Sequence, residues 1–571
     1  MLRKLITVTL ILSLFICLFA GCSGQPAQTT TATTAGTTAA TTAATTAPGT
    51  TKGNVEPYTE ANVTEAGMLP IVLEPEEFSL MIGQNANIID FETNEVTKLQ
   101  EERTGIHIVW KVVAEFEQSK NVALASGDLP DVFGSALTDA ERVKYGTDGT
   151  LVDLTDYIEN NGFWIKQMFE YDSSVKPQLI IPGGKIPAMP DYSLTYHGYS
   201  NQKGWIRKDW VNTLGLEYPD TIEDFRNVLI AFRDGDPNGN GQKDEIPFSG
   251  VSALTGLTDS LSYLLNAFIP FKRGDFWVEP YDGKQVDVVY THDEWRDGLI
   301  WIHDLYQEGL IDPESFTQDS TLAKQKTTND QVGFRTAHAV SAIVDTQSPI
   351  FEQFDIVLPL TGPSGTKVAP LTGGSGLVGK RFAITKVCKN PLTAFRWQDS
   401  MYDEDVQLWL AIGLEGKEWR KAEDGEVGIN GKPALYALLE RTYPTNNTWS
   451  QSIASYRTAE WRLGEASVYG DNYFVYAAQE TRLYNATVEY MKYCPYTLDD
   501  VAPYTIYISA DISTEYNDLK TAINEYVEQN AALFVTGDRD LAEWDAYCED
   551  LKAIGLEQYL KWTQESIDAA K

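Results

Sequence analysis

The spacing of apolar residues switches between strand and helix periods along the first part of the body of the chain. Residues 78–82 and 106–113 have the apolar character of strands, and residues 130–133 form a shorter one. Residues 96–103 and 116–126 have the spacing of helices. The chain therefore begins with alternating strands and helices, and this order predicts an α/β fold with a mostly parallel sheet.

The loop after the third predicted strand is a candidate part of a ligand site. Ligands of such sheets bind outside the carboxyl ends of the strands. Ser135 lies in this Gly-Ser-Ala loop, so we expect it to face a cleft.

A second periodic region lies further along the chain. Residues 222–233 form a predicted helix that begins after Thr221, with Asp224 three residues later in the position of a capping box. A further helix is predicted around Trp295, Leu299, Ile302 and Tyr306. These apolar stripes indicate packing against a core.

An acidic loop follows the capped helix, with the sequence DPNGNGQKDE. Oxygen-bearing residues at alternate positions, with a glycine at the turn, are typical of a site for Ca²⁺. The predicted calcium ligands are Asp236, Asn238, Asn240, Gln242 (through its backbone carbonyl), Asp244 and Glu245.

This loop departs from an EF-hand after its sixth position. The twelfth position is Pro247, so we expect the loop to close early and Glu245 to act as the bidentate ligand. The alternative is an acidic turn rich in Asn and Gly without a metal.

The segment around this loop resembles one protein family over several dozen residues. It reads W-I-R-K-D-W and L-G-L, then T-I-E-D-F, then D-P-N-G-N-G-Q-K-D-E-I-P, with Asp224 where the family has Glu. An earlier L-A-S-G-D-L-P-D-V stretch is similar to the same family. The sequence resembles the extracellular solute-binding proteins (family 1 type) of carbohydrate ABC importers, in their long, oligosaccharide-binding subgroup. In that family the calcium site braces one lobe.

The resemblance implies an α/β, two-lobed, periplasmic-binding-protein-like fold of type II, with discontinuous lobes joined by a hinge. Lobe one would comprise residues 78–203 and 377–412. Lobe two would comprise residues 204–376 and 413–571. A length of 571 residues also favours more than one core.

The N-terminus has the features of a bacterial lipoprotein signal. Arg3 and Lys4 precede a short apolar run that ends in L-F-A-G-C. We expect residues 1–21 to be removed and Cys22 to carry lipid, as palmitate or a similar chain. Residues 22–57, rich in Thr and Ala, would form a disordered tether that holds the body at the outer face of the cell membrane. The alternative is an ordinary secretory signal.

Charge and cysteine content limit the partners. The formal charge of −36 becomes −38 when Arg3 and Lys4 are removed, which disfavours nucleic acid. It also disfavours a polyanionic ligand unless a local basic pocket overrides it. After processing, Cys388, Cys494 and Cys548 remain and show no metal-ligand spacing. We expect these to be buried thiols, and the alternative is a disulfide between Cys494 and Cys548. We also expect the protein to be a monomer.

Sugars stack on aromatic rings and need fixed polar partners, so aromatic and arginine residues near the expected crossings are ligand candidates. Trp205 and Arg207 lie beside the first crossing, and Tyr196 precedes it. The resemblance adds Arg335, whose strand would open on the cleft. It also adds Trp449 and Trp461, in the region where long family members place a stacking residue.

The sequence favours a binding protein that captures an oligosaccharide and delivers it to an ABC permease. It displays no catalytic constellation, so no catalytic residue is predicted. Two alternatives stay open: a secreted enzyme acting on polysaccharide, and a sensory receptor of the same fold.

Overall fold

The computed structural model describes residues 62–255, 258–270, 277–278, 286–369, 376–439, 442–467, 474–494, 507–509 and 511–570. The predicted signal peptide, Cys22 and the tether lie outside these residues. The strands are β1 (Glu76–Gly83), β2 (Ile106–Val113), β3 (Val132–Phe133), β4 (Met189–Ser193), β5 (Lys203–Arg207), β6 (Ile246–Phe248), β7 (Trp277–Val278), β8 (Asp287–Val288), β9 (Val332–Ala337), β10 (Phe354–Val357), β11 (Leu377–Arg381), β12 (Ala383–Ile384), β13 (Trp419–Lys421), β14 (Tyr436–Leu438) and β15 (Tyr456–Arg457).

The helices range in length from 4 to 24 residues. They are α1 (Glu95–Thr104), α2 (Phe116–Ser126), α3 (Asp139–Thr147), α4 (Thr155–Asn161), α5 (Trp164–Tyr171), α6 (Val175–Leu179), α7 (Lys208–Thr213), α8 (Ile222–Asp234), α9 (Ser262–Leu265), α10 (Asp293–Gln307), α11 (Ser320–Thr328), α12 (Pro391–Ser400), α13 (Glu404–Ala411), α14 (Ala459–Leu463), α15 (Phe474–Met491), α16 (Ser513–Thr536), α17 (Trp544–Ile554) and α18 (Leu556–Ala570).

Lobe one is built on a sheet with the strand order β12-β3-β1-β2. Strand β1 runs parallel to β2 and β3, and β12 runs antiparallel to β3. The predicted strands and helices of this region are confirmed. Helix α2 is capped at its C-terminus by Gly127, whose φ of 79° is a left-handed conformation that glycine adopts without a Cβ clash.

Lobe two has its own sheet, in the order β10-β5-β9-β6. Strand β5 is antiparallel to both of its neighbours, whereas β6 and β9 are parallel, so this sheet is mixed. Helix α8 begins with the predicted capping box at Thr221 and Asp224. Its buried residues Phe225, Leu229 and Phe232 confirm the predicted stripe. Helices α16, α17 and α18 add buried residues to the same core.

A three-stranded sheet in the order β11-β4-β15 lies where the chain passes from one core to the other. Strand β4 is antiparallel to β11 and parallel to β15. It precedes β5 of lobe two, and β15 precedes α14 and α15. We call residues 189–203, 377–381 and 456–463 the crossing.

The lobe boundary predicted at residue 413 is wrong. Ile453, Ala454 and Tyr456 are buried in the lobe-one core, and Thr445 forms a β-bridge with Ile88. Residues 442–457 therefore stay with lobe one, and the return at β15 adds a third passage to the two that were expected. The reason is packing between segments more than 300 residues apart, as in the hydrogen bond from Asn94 Nδ2 to the Thr448 carbonyl.

Candidate ligand site at the crossing and calcium loop

The Ser135 loop lies at the carboxyl ends of the parallel strands in lobe one. The backbone N–H of Gly83, the last residue of β1, donates to Ser135 Oγ at 3.2 Å. The N–H of Gly134 donates to the Met81 carbonyl at 2.8 Å. Ser135 is half-buried, and this position is the edge where such sheets bind ligands.

Trp205 is part of the core of lobe two. It is 1% exposed, and its indole Nε1 donates to the Ala337 carbonyl at 3.0 Å. Residues from β9, β10 and α15 enclose the ring. The structure therefore contradicts a stacking role, because β5 is an inner strand and the ring has no open face.

Arg207 is held by two carboxylates. It is 1% exposed, and its Nε and Nη2 reach Asp209 at 2.8 and 2.6 Å. Its Nη1 pairs with Asp330, and its guanidinium lies 4.9 Å from the ring centroid of Trp210. These contacts use the donors that a sugar would need, so the prediction that Arg207 binds ligand is corrected to a packing role.

Arg335 is inside lobe two. It is fully buried on β9, its Nη1 donates to Thr327 Oγ1 at 3.0 Å, and burial lowers its pKa to about 10. The strand's burial on both faces keeps this residue away from a cleft, which contradicts its predicted clamp role.

Trp449 is in the core of lobe one. It is 1% exposed, and its Nε1 donates to Thr97 Oγ1 at 2.9 Å. Its ring packs 5.5 Å from Trp110 and 6.0 Å from Trp397. The predicted ligand contact is again contradicted by close packing from all sides.

Tyr196 is a predicted ligand residue that is half-buried at the crossing and contacts other aromatic rings. Its ring centroid lies 5.0 Å from that of Tyr484 on α15 and 5.5 Å from that of Tyr199. Tyr199 and Tyr484 are also half-buried. This group of tyrosines joins the segment after β4 to a lobe-two helix, which the sequence spacing of nearly 300 residues did not reveal.

Buried charges surround these tyrosines. Arg462 Nη2 pairs with Glu480 at 2.8 Å, and His197 Nδ1 lies 3.7 Å from the same carboxylate. Burial, with Arg462 and Lys203 nearby, lowers the pKa of His197 to about 3, so its imidazole is neutral. Burial also lowers the pKa of Lys203 to about 7.

Trp461, the last predicted ligand residue, lies at the crossing and is half-buried. Its ring centroid is 5.7 Å from that of Tyr436, and the Arg457 guanidinium is 5.8 Å from the Trp461 ring. The sequence analysis missed Arg457. Its position four residues before Trp461 was the available signal, but lobe assignment was needed to use it.

The calcium loop is tightly hydrogen-bonded. The Asp236 carboxylate accepts from the backbone N–H groups of Asn240 and Gly241, at 3.1 and 3.0 Å. Asn240 Oδ1 accepts from the N–H of Gln242 at 2.6 Å, and its Nδ2 donates to Asp244 at 3.0 Å. Gly241 has a φ of 75°, which allows the turn.

Two further contacts fix the loop to lobe two. Asn238 Nδ2 donates to the Asp330 carbonyl at 3.1 Å, and Gln331 Nε2 donates to Asp244 at 3.4 Å. Both partners precede β9. The loop is thus attached to the sheet of lobe two.

Glu245 differs from the other acidic residues of the loop. Both of its carboxylate oxygens are buried without a hydrogen-bond partner. Burial, with Asp244 and Asp236 nearby, raises its pKa. A buried carboxylate without a partner is unfavourable, and a cation would supply one. Among the described residues, no group of three or more His, Cys, Asp and Glu side chains is arranged to hold a metal, so amide and backbone oxygens would have to complete the site.

Among the described residues, no disulfide joins Cys388, Cys494 and Cys548. Cys388 is buried, and burial raises its pKa to about 12. Cys494 and Cys548 are partly buried. No helix within the described part of the chain is long and apolar enough to cross a membrane.

Two cores, each with its own sheet, joined by strands that pass between them, define the fold of a two-lobed solute-binding protein. Comparisons with known proteins agree. The chain is 27% identical over 496 residues, which are 84% of this chain and 87% of the relative, to the fructooligosaccharide ABC transporter substrate-binding protein FusA of Streptococcus pneumoniae serotype 4. It is 25% identical over 350 residues, covering 59% of this chain and 67% of the relative, to lipoprotein LipO of Bacillus subtilis.

Solved structures give the same result. FusA of S. pneumoniae in complex with kestose has a TM-score of 0.68 at 25% identity, covering 86% of this chain and 99% of that one. The FusA EF-hand mutant in complex with fructo-nystose has a TM-score of 0.67 at 24% identity, with the same coverage. No family model matches the chain. The resemblance to substrate-binding proteins of carbohydrate ABC importers is confirmed.

Proposed function

We propose that this protein is an extracellular substrate-binding protein that captures an oligosaccharide and delivers it to an ABC permease. The observation that carries the proposal is the crossing, where half-buried tyrosines of the connecting segment after β4 meet a tyrosine of a lobe-two helix. Similarity to FusA over 84% of this chain supports the class of ligand and the partner.

The mechanism follows from the separate cores. Each lobe is stabilised by its own buried residues, so the lobes can rotate about the crossing without unfolding. A ligand that touches both lobes only in the closed form shifts the population toward closure. The permease then distinguishes loaded from empty protein by their shapes.

The proposed ligand contacts are Tyr196, Trp461 and Ser135. The first two offer ring faces for the apolar side of a sugar, and Ser135 offers a hydroxyl from the lobe-one edge. Trp461 Nε1 is buried without a hydrogen-bond partner, so it is a donor that a sugar oxygen would satisfy.

The calcium loop is proposed to hold Ca²⁺ through Asp236, Asn238, Asn240, Gln242, Asp244 and Glu245. The partnerless carboxylate of Glu245 supports this proposal, and the existence of a FusA EF-hand mutant suggests such a site in a relative. The ion would stiffen lobe two, because the loop is tied to the residues before β9.

The lipid anchor stays a proposal. It places the mature chain on the outer face of the cell membrane through Cys22, and the similarity to lipoprotein LipO supports it. Metabolic labelling with a fatty acid tests this proposal, with Cys22→Ala as the unlabelled control.

Isothermal titration with neutral and acidic oligosaccharides, with product analysis by chromatography, tests the function. We expect one-site binding of at least one glycan and recovery of the intact glycan. Release of shorter products would favour the enzyme. If the folded protein bound none of these glycans, the proposal would be contradicted.

A further inference from the structure

Arg457 lies at the crossing, and no carboxylate of the described residues forms an ion pair with it. It is 6% exposed and follows Tyr456 on β15. Since successive side chains of a strand point to opposite faces, Arg457 faces away from the lobe-one core in which Tyr456 packs. Within the described part of the chain, neither a hydrogen bond nor an ion pair holds its guanidinium, and its Nε is buried without a partner.

Other buried arginines of the chain have oxygen partners. Arg207 pairs with Asp209 and Asp330. Arg396 donates to the carbonyls of Thr64 and Glu65 at 2.8 and 3.0 Å. Arg457 has an aromatic neighbour instead, with its guanidinium 5.8 Å from the ring centroid of Trp461. A buried cation without such compensation is costly, and a ligand oxygen would relieve this cost.

Asp191, the carboxylate whose charge acts on Arg457, is already engaged. It is 3.1 Å from Arg381 Nε and accepts from the N–H of Ser455 at 3.0 Å. Arg462, a second guanidinium near Arg457, pairs with Glu480. Among the described residues, Arg457 is therefore left without a carboxylate of its own.

We propose that Arg457 determines specificity by binding the carboxylate of an acidic sugar, so that the ligand is an oligosaccharide containing uronic acid. The planar guanidinium matches a carboxylate in a two-point contact. The neighbouring Trp461 ring would stack on the sugar that carries this carboxylate. This inference rests on the proposed function and narrows its ligand class.

Calorimetric titration of the full mature chain with trigalacturonate and with kestose tests the inference. We expect tighter binding of trigalacturonate. Arg457→Gln is expected to weaken trigalacturonate binding by at least about tenfold, which corresponds to about 1.4 kcal/mol, while changing kestose binding by less than twofold. Arg457→Lys keeps the positive charge but loses the planar guanidinium with its two-point contact. We expect it to lower the affinity for trigalacturonate less than Arg457→Gln does.

Arg226→Gln is the matched control. It removes the same charge from an arginine of lobe two that is 34% exposed and pairs with Glu308, so affinity for trigalacturonate should not change. Thermal melting of each variant checks that it is folded. If Arg457→Gln does not fold, the affinity of Arg457→Lys is compared with that of the wild type instead.

The outcomes separate the inference from the function. Binding of kestose but not of trigalacturonate, or an equal loss of both ligands in Arg457→Gln, overturns the inference and leaves the proposed function intact. Binding of neither glycan by the folded wild type overturns the inference, and the proposed function is overturned only when the wider set of oligosaccharides also fails to bind.

Discussion

Trp449 and Trp461 are twelve residues apart, and the sequence analysis gave them the same role, yet the structure places them in different environments. Trp449 is 1% exposed, has its N–H bonded to Thr97, and packs between two other tryptophans. Trp461 is half-buried, and its N–H has no partner. Trp449 is a core residue whose indole N–H is hydrogen-bonded, whereas the indole N–H of Trp461 lacks an acceptor.

This difference separates stability from recognition. Trp449 has its N–H paired and its surface covered, so its removal leaves a cavity. A ligand residue keeps polar groups that the folded protein does not satisfy. In this protein the unsatisfied groups of Arg457 and Trp461 lie together at the crossing, and we expect their substitution to affect binding more than folding.

The largest expected effect comes from Trp449→Ala. Loss of a buried tryptophan should lower the free energy of unfolding by about 3–5 kcal/mol. Urea denaturation followed by circular dichroism measures this loss. The glycan affinity of the molecules that remain folded should be unchanged, and a selective loss of affinity would reverse the roles given to the two tryptophans.

Calcium removal should have the next largest effect. With free Ca²⁺ at about one hundred times its dissociation constant, binding contributes about 2.7 kcal/mol to the stability of the folded state. Scanning calorimetry with and without a chelator measures the change. Glu245→Gln should remove most of it, and Asp538→Asn, a substitution outside the loop, is the control. A chelator effect of equal size in Glu245→Gln would place the ion elsewhere.

Trp461→Ala is expected to change affinity rather than stability. Loss of a stacking ring and a hydrogen-bond donor should weaken the best-binding oligosaccharide by about ten- to a hundredfold. Titration calorimetry measures the affinity, and urea denaturation measures the stability. A loss of stability comparable to that of Trp449→Ala, with unchanged affinity, would make Trp461 a core residue.

The smallest effect is the pH dependence due to Glu245. Because its pKa is raised above the ordinary value of 4.5, the metal-free folded state holds this proton longer than the unfolded chain does. Its contribution to stability is therefore present at low pH and is lost as pH rises from 4.5 through the raised pKa. Chelator-treated wild type and Glu245→Gln should diverge over this window. If the stabilities of the two proteins changed with pH in the same way, the pKa of Glu245 would not be raised in the folded state.

The sequence predicted local structure better than contacts between distant segments. The apolar spacing of β1, β2, α1 and α2 depends on neighbouring residues, so these elements were placed within two residues of their ends. Arg207 could not be recognised as a core residue because its partner Asp330 is 123 residues away. Trp449 was misassigned for the same reason, since its ring partners Trp110 and Trp397 lie 339 and 52 residues away in sequence.

The calcium loop is the part of the candidate site that could be predicted from local sequence. The loop from Asp236 to Glu245 carries its oxygen-bearing residues within one short segment, so its composition was enough to suggest calcium. The ring pair of Tyr196 and Tyr484 joins segments that no spacing relates. The crossing therefore became visible only when both lobes were folded.

Hydrogen–deuterium exchange with and without a saturating oligosaccharide tests the central claim most directly. If the ligand binds where the lobes meet, protection should concentrate in residues 192–203, 456–463 and 480–490. Protection confined to the interior of one lobe, with exchange at these three segments unchanged, would contradict the account.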